Sequence, residues 1–295
     1  MLLSNFSDLF DVVIDGHFDV LAKCTDNPPS NFLTYLESEK YLSIINTNTV
    51  ISCVIVKKEL LSKILRKDIG IAISDNPKYD FFRIHNMVSE NRSKIISFGK
   101  HCEIADTAII NSDVIVLGDN VLIEDNVVIK GDTYIGDNTI IRCGAVIGAA
   151  SFENCRTSSR ALYRVREKGI IRIGKNVEIG ELTVIDNAVF DWDTTDIGDD
   201  SYIGPRCIIT HGCKISNNVT IKHGAILCGF VIVKAKSVLG PGCIISNRLT
   251  IGEGALVSLG ATVTQNVLPH TRVSGNFAIS HDAYLEFIKK ISNNQ

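Results

Sequence analysis

Residues 203–256 read IGPRCI ITHGCK ISNNVT IKHGAI LCGFVI VKAKSV LGPGCI ISNRLT IGEGAL, nine six-residue units in a row. The frame extends back to Ile173 and forward to Leu268, giving sixteen units without a gap. Only Asp191 interrupts the aliphatic residue that opens each unit. The second position is often small (Gly174, Gly180, Gly198, Gly204, Gly240, Gly252), and the fifth is often Val, Ala, Ser, Thr or Cys. A fixed short period marks a solenoid, here a parallel β-helix of hexapeptides. With three units to a triangular turn, residues eighteen apart stack at the strand spacing of about 4.8 Å.

The rest of the chain is organised around this coil. Residues 1–100 carry no hexad. They alternate apolar runs (Val50–Val56, Ile69–Ile73) with segments of helical spacing at Leu33–Ile45, Lys58–Leu65 and Lys78–Val88, the last introduced by Pro77. This predicts a small α/β domain. The coil begins near Ile104, slips by one residue after Ile110, and resumes at Leu117. It should occupy residues 101–276. A polar, basic excursion at 149–170 contains Phe152, Arg156, Arg160, Tyr163, Arg164 and Arg166, and long excursions from regular coils are usually functional. Residues 277–295 read as one short helix, a cap for the open end of the coil. Repetitive flat faces favour packing against copies of the same chain, so a cyclic homo-oligomer is expected.

Composition narrows the function. A formal charge of −3 leaves no basic excess for neutralising nucleic-acid phosphates. No apolar run reaches the roughly 18 residues of a membrane span. The N-terminus carries Asp8, Asp11 and Asp15 and lacks the basic region of a signal peptide. Nine cysteines without a CxxC pair suit a reduced, cytoplasmic setting, with Cys207, Cys213 and Cys243 as small inward-facing residues. The seven histidines form no metal set, and His223 faces a different side from His211.

One corner gathers reactive groups. His211 stands at the third position of its unit, with Gly229 eighteen residues on and Asp193 eighteen residues back. Arg248 lies two turns forward and one residue over. Taken alone, His211 reads as a surface corner residue. Together the four suggest acyl transfer: an imidazole base, an unshielded Gly229 amide for an oxyanion, and Asp193 to orient the imidazole or hold the amine.

The coil, the loop after Val146-Ile147-Gly148 and the segment Ile208-Ile209-Thr210-His211-Gly212 resemble the left-handed β-helix acyltransferases. Among these the chain is most similar to the lipid A family that N-acylates UDP-3-O-acylglucosamine. The resemblance implies the left hand of the coil, His211 as general base and Gly229 as oxyanion donor. A second histidine of that family is replaced by Arg248, a cation still able to contact a phosphate. Leu33–Tyr41 resembles the family segment whose two aromatic rings sandwich uracil, placing Tyr35 and Tyr41 on those rings. The six-residue spacing requires a turn or helix end between them. The family's Gly-Phe-Gly element is here Ser151-Phe152-Glu153, with Phe152 retained for the acyl-donor channel.

The resemblance and the single short C-terminal helix imply a homotrimeric, cytoplasmic N-acyltransferase with no metal or tightly bound cofactor. It would transfer a short or hydroxylated acyl group from acyl-CoA to a UDP- or dTDP-linked amino sugar for a surface glycan such as lipopolysaccharide O-antigen. One alternative is the lipid A reaction itself, with acyl carrier protein as donor. Another is a non-catalytic scaffold.

Overall fold

The aliphatic residue that opens each hexad points into the coil, where it meets its counterparts one turn above and below. In the computed structural model, which describes residues 1–88, 93–275 and 278–292, Ile179, Ile203, Ile221, Leu239 and Val257 form one such fully buried column. Burying each of these side chains contributes roughly 1.5–3 kcal/mol. The small fifth-position residues, including Cys207, Cys213 and Cys243, are also fully buried. All nine cysteines are free, and burial pushes the thiols of Cys213 and Cys243 up to about 12. The coil is a prism of three parallel sheets, with nine, eight and eight strands. Its corners include left-handed residues, many of them asparagines such as Asn120, Asn138, Asn176 and Asn218. Asparagine tolerates this backbone at little cost. Asn120, Asn138 and Asn176 also link turn to turn by side-chain hydrogen bonds of 2.9 and 3.1 Å.

The register shows where the ruler holds. From Ile197 to Val263, partners are eighteen residues apart, as in Ile197↔Ile215 and Ile209↔Leu227. At the turn just below they are not: Ile173 pairs Ile197, and Ile185 pairs Ile209, an offset of twenty-four. One whole hexad therefore leaves the coil between Asp186 and Asp193. The period passes through it undisturbed, and Asp191 was its only trace in the sequence. Phe190 and Trp192 from this excursion stack at 5.7 Å and pack into the N-terminal domain. Trp192 Nε1 donates to the Leu21 carbonyl at 2.8 Å.

The N-terminal domain is a five-stranded sheet in the order Asp11–Ile14, Gly70–Ile73, Ile51–Val56, Phe32–Leu36, Val20–Leu21, parallel except at its first pair. The helical reading of Leu33–Ile45 is corrected: Phe32–Leu36 is a strand, and the helix is confined to Leu42–Thr47 after a 3₁₀ turn at Glu39–Tyr41. Both faces of Phe32–Leu36 are covered, so it lacks the alternation that distinguishes a strand from a short helix. Lys58–Lys63 is a 3₁₀ helix, and Pro77–Met87 is the expected α-helix.

The coil begins earlier than residue 101, because Ile95–Phe98 already pairs with Val114–Leu117. The expected division at 276/277 lies outside the described residues. The final helix, His281–Ser292, exposes all its described side chains, including Tyr284 and Phe287.

The 149–170 excursion carries an antiparallel hairpin of Asn154–Arg156 and Leu162–Arg164. It is strapped to helix Pro77–Met87. Asn76 and Asn86 donate to the carbonyls of Arg156 and Arg164, Asn86 accepts from the Arg166 amide, and His85 Nε2 meets the Arg166 carbonyl. The four arginine side chains are exposed.

Candidate active site

His211 and Gly229 lie on successive turns of one corner column. A Cβ on Gly229 would come within 2.6 Å of His211 Nε2, so the imidazole rests where any larger residue would place its side chain. Gly229 is buried, and its N–H donates no hydrogen bond among the described residues. Gly229 therefore contributes an uncommitted backbone donor at the corner beside the imidazole.

The next corner position is a column of Gly212, Phe230 and Arg248, all with φ near +60°. Backbone bonds Phe230 N→His211 O (2.9 Å) and Arg248 N→Gly229 O (3.0 Å) fix this stack. The Phe230 ring meets His211 edge-on at 5.0 Å. The Arg248 guanidinium lies 4.5 Å from the Phe230 centroid, and Lys23 Nζ lies 5.6 Å from it.

Asp193 is not in the histidine's column. The Ile185↔Ile209 pairing is offset by twenty-four residues, so counting eighteen back from His211 overshoots into the end of the excursion rather than onto the turn below. Asp193 arrives from the end of the six-residue excursion, and a Cβ on Gly212 would meet its Oδ2 at 3.2 Å. Its Oδ1 accepts from the Thr194 amide at 2.8 Å and from Lys214 Nζ at 3.0 Å. It does not hydrogen-bond the imidazole, whose buried Nδ1 has no partner among the described residues. Burial first, and then the Lys23 cation, hold the His211 pKa below its ordinary value, against the opposing charges of Glu153 and Asp193. The ring is thus neutral at pH 7 and able to accept a proton.

The N-terminal domain meets this corner through Lys23–Asp26. Asp26 accepts from Arg248 Nη2 at 3.1 Å. Lys23 Nζ pairs with Glu153 of the excursion at 3.0 Å, and Lys78 Nζ lies 4.0 Å from the other oxygen of the same carboxylate. Between domain and coil is a cleft of about 280 Å³ lined by Lys23, Tyr35, Glu37, Tyr41, Lys78 and Arg248, among others. Tyr35 comes from the strand and Tyr41 from the end of the 3₁₀ turn, so the required break between them is present. The Tyr35 ring packs 5.0 Å from Phe81 and 6.3 Å from Phe82, and burial pushes its phenol well up. Phe152 is 89% exposed, with φ +58°. Its ring projects into solvent within one chain. His223 is exposed on a different corner. No group of three or more metal-ligating side chains is present among the described residues.

The bacterial transferase hexapeptide (six repeats) family matches residues 115–149 and 194–229. A Helicobacter pylori (strain HPAG1) UDP-3-O-acylglucosamine N-acyltransferase is 32% identical over 249 residues, covering 77% of this chain and 69% of the relative. The chain belongs to the hexapeptide-repeat acyltransferases of left-handed β-helix fold. An enzyme of the same name from a second H. pylori strain is 29% identical with the same coverage. The structure of an Arabidopsis UDP-N-acetylglucosamine acyltransferase superposes with a TM-score of 0.54 at 26% identity, and the match covers 60% of each chain. No described helix of this acyltransferase is long and apolar enough to cross a membrane.

Phe230, Lys23, Lys78, Asp26 and Glu153 escaped the sequence reading. Phe230 had a usable signal, since it stands eighteen residues from both Gly212 and Arg248. The other four come from the N-terminal domain and the excursion, where no period reports position.

Proposed function

We propose that this acyltransferase transfers an acyl group to the amine of a UDP- or dTDP-linked amino sugar. The observation that carries this reading is the single cleft holding Tyr35, Tyr41 and Arg248, with Arg248 resting on the ring that abuts His211. The base stacks near the tyrosines, and the sugar amine reaches the His211 corner. There the amine nitrogen attacks the thioester carbonyl, and the Gly229 N–H takes the hydrogen bond of the oxyanion. Collapse breaks the C–S bond. His211 removes the proton from nitrogen and returns it to the departing thiolate. No metal or bound cofactor enters this scheme. Asp193, held by Lys214, supplies negative charge beside the imidazolium rather than a hydrogen bond to it.

The Helicobacter relatives' names favour a 3-O-acylated UDP-glucosamine as acceptor, with acyl carrier protein as donor and lipid A as destination. A specific observation favours a second acceptor, an amino sugar without an O-acyl chain receiving a short or hydroxylated group from acyl-CoA for a glycan such as O-antigen. Arg248, pinned by Asp26 over Phe230, puts a cation and not an apolar wall beside the corner. Phe152 completes the donor channel only against a neighbouring chain, which fits a homotrimer. A cytoplasmic setting suits substrates of this kind.

The test is turnover of a panel of UDP- and dTDP-amino sugars, with and without 3-O-acylation, against acyl-CoA and acyl carrier protein donors. His211→Asn should lower turnover of the best pair by roughly 10²–10⁴. Absence of turnover with every nucleotide sugar would overturn the reading.

A further inference from the structure

We infer that Lys23 and Lys78 form the diphosphate-binding pair of this site, and that Glu153 occupies them until the nucleotide arrives. The inference rests on the nucleotide-sugar reading above and deepens it. Of the three cations in the cleft, Arg248 is committed to Asp26 and to the Phe230 ring. Lys23 and Lys78 instead share one carboxylate: Glu153 Oε2 meets Lys23 at 3.0 Å, and Oε1 meets Lys78 at 4.0 Å. The two ammonium groups thus converge on one carboxylate, with Glu37 a further acidic group on the cleft wall. A diphosphate carries more charge and offers more acceptor oxygens to the pair than that carboxylate does.

The pair also lies in the right order along the cleft. Lys78 Nζ is 5.8 Å from the Phe82 ring, which packs against Tyr35. Lys23 Nζ is 5.6 Å from Phe230, which packs against His211. Lys78 is thus at the tyrosine end and Lys23 at the imidazole end. A nucleoside diphosphate sugar places its groups in the same sequence: base, diphosphate, sugar. Glu153 is mostly buried, its side chain 13% exposed, and supplies the negative charge between the two ammonium groups.

The experiment measures dissociation constants of UMP and UDP, with dTMP and dTDP in parallel, on the full chain by calorimetry. The unmodified enzyme should prefer the diphosphate by about ten-fold or more. Lys23→Ala and Lys78→Ala should each reduce that preference to a few-fold while leaving monophosphate affinity in place. Lys23→Arg should restore it. Glu153→Gln, which removes the competing charge, should tighten diphosphate binding several-fold. An unchanged preference in both alanine variants, or weaker diphosphate binding in Glu153→Gln, would overturn the inference. If the lysine variants instead lose affinity for 3′,5′-ADP, the pair serves the phosphates of CoA, and the inference fails while the nucleotide-sugar reading stands. Binding of neither uridine nor thymidine nucleotides overturns both.

Discussion

At the residue scale, the imidazole of His211 is defined by what surrounds it more than by its own position in the repeat. Gly229 makes room for it, Phe230 walls it, and Lys23 and Glu153 act on its charge from outside the coil. Because Lys23 holds the His211 pKa down in the free enzyme, Lys23→Ala should move the acid limb of the kcat/KM profile to higher pH. Glu153→Gln removes an opposing charge and should move it lower. A limb unmoved in both variants would show that neither group senses the ring. Asp186 gives a separate, stability-based prediction. Burial, and then Glu167, push its carboxyl from 3.8 to about 7. Ionising it in the folded chain therefore costs nothing below its ordinary pKa, costs progressively more as pH rises toward 7, and costs the full amount above that. Asp186→Asn should melt at a higher temperature than the parent at pH 8, with the difference shrinking to nothing near pH 4. A difference independent of pH would exclude this origin.

At the element scale, the coil was legible because its period is imposed by packing: every inward residue must be aliphatic, and every slip would turn a column outward. The same regularity concealed one element. An excursion of one hexad restores the phase it leaves, so Asp186–Asp193 could be found only from strand pairing. Phe32–Leu36 was misread for the opposite reason, since burial on both faces erases the pattern that marks a strand. Tyr35 and Tyr41 were nevertheless placed on the cleft through the resemblance, whereas Lys78 and Glu153 meet only once two distant segments dock. The excursion has a measurable role. Trp192 packs against both apolar clusters of the N-terminal domain and donates to Leu21. Because it is only partly buried, Trp192→Ala should cost less than the roughly 3–5 kcal/mol of a fully buried tryptophan and speed amide exchange in Val20–Leu36 before the coil is affected. Uniform loss of protection along the whole chain would contradict that local role.

At the scale of the whole molecule, the prism presents three unequal faces. The sheet that carries Ile208 also turns Ile109, Val128, Val146, Val184, Ile226 and Ile244 outward, in register from turn to turn. The sheet that carries Lys214 turns Tyr134, Arg172 and Asp196 outward instead. A continuous aliphatic strip of this kind favours self-association. Light scattering should give three times the chain mass, and Ile226→Lys should lower that mass and turnover together while the coil's β-sheet circular dichroism persists. A monomeric parent with full activity would refute the trimer.

The short segment Leu21–Asp26 grips the coil at two heights, Trp192 below and Arg248 above. It works like a caliper with fixed jaws. Solenoids commonly grow or shrink by whole turns, yet a turn gained or lost between those two grips would leave one jaw closed on the wrong rung. That interval of the chain is thereby locked in length, while the coil beyond Arg248 remains free to lengthen.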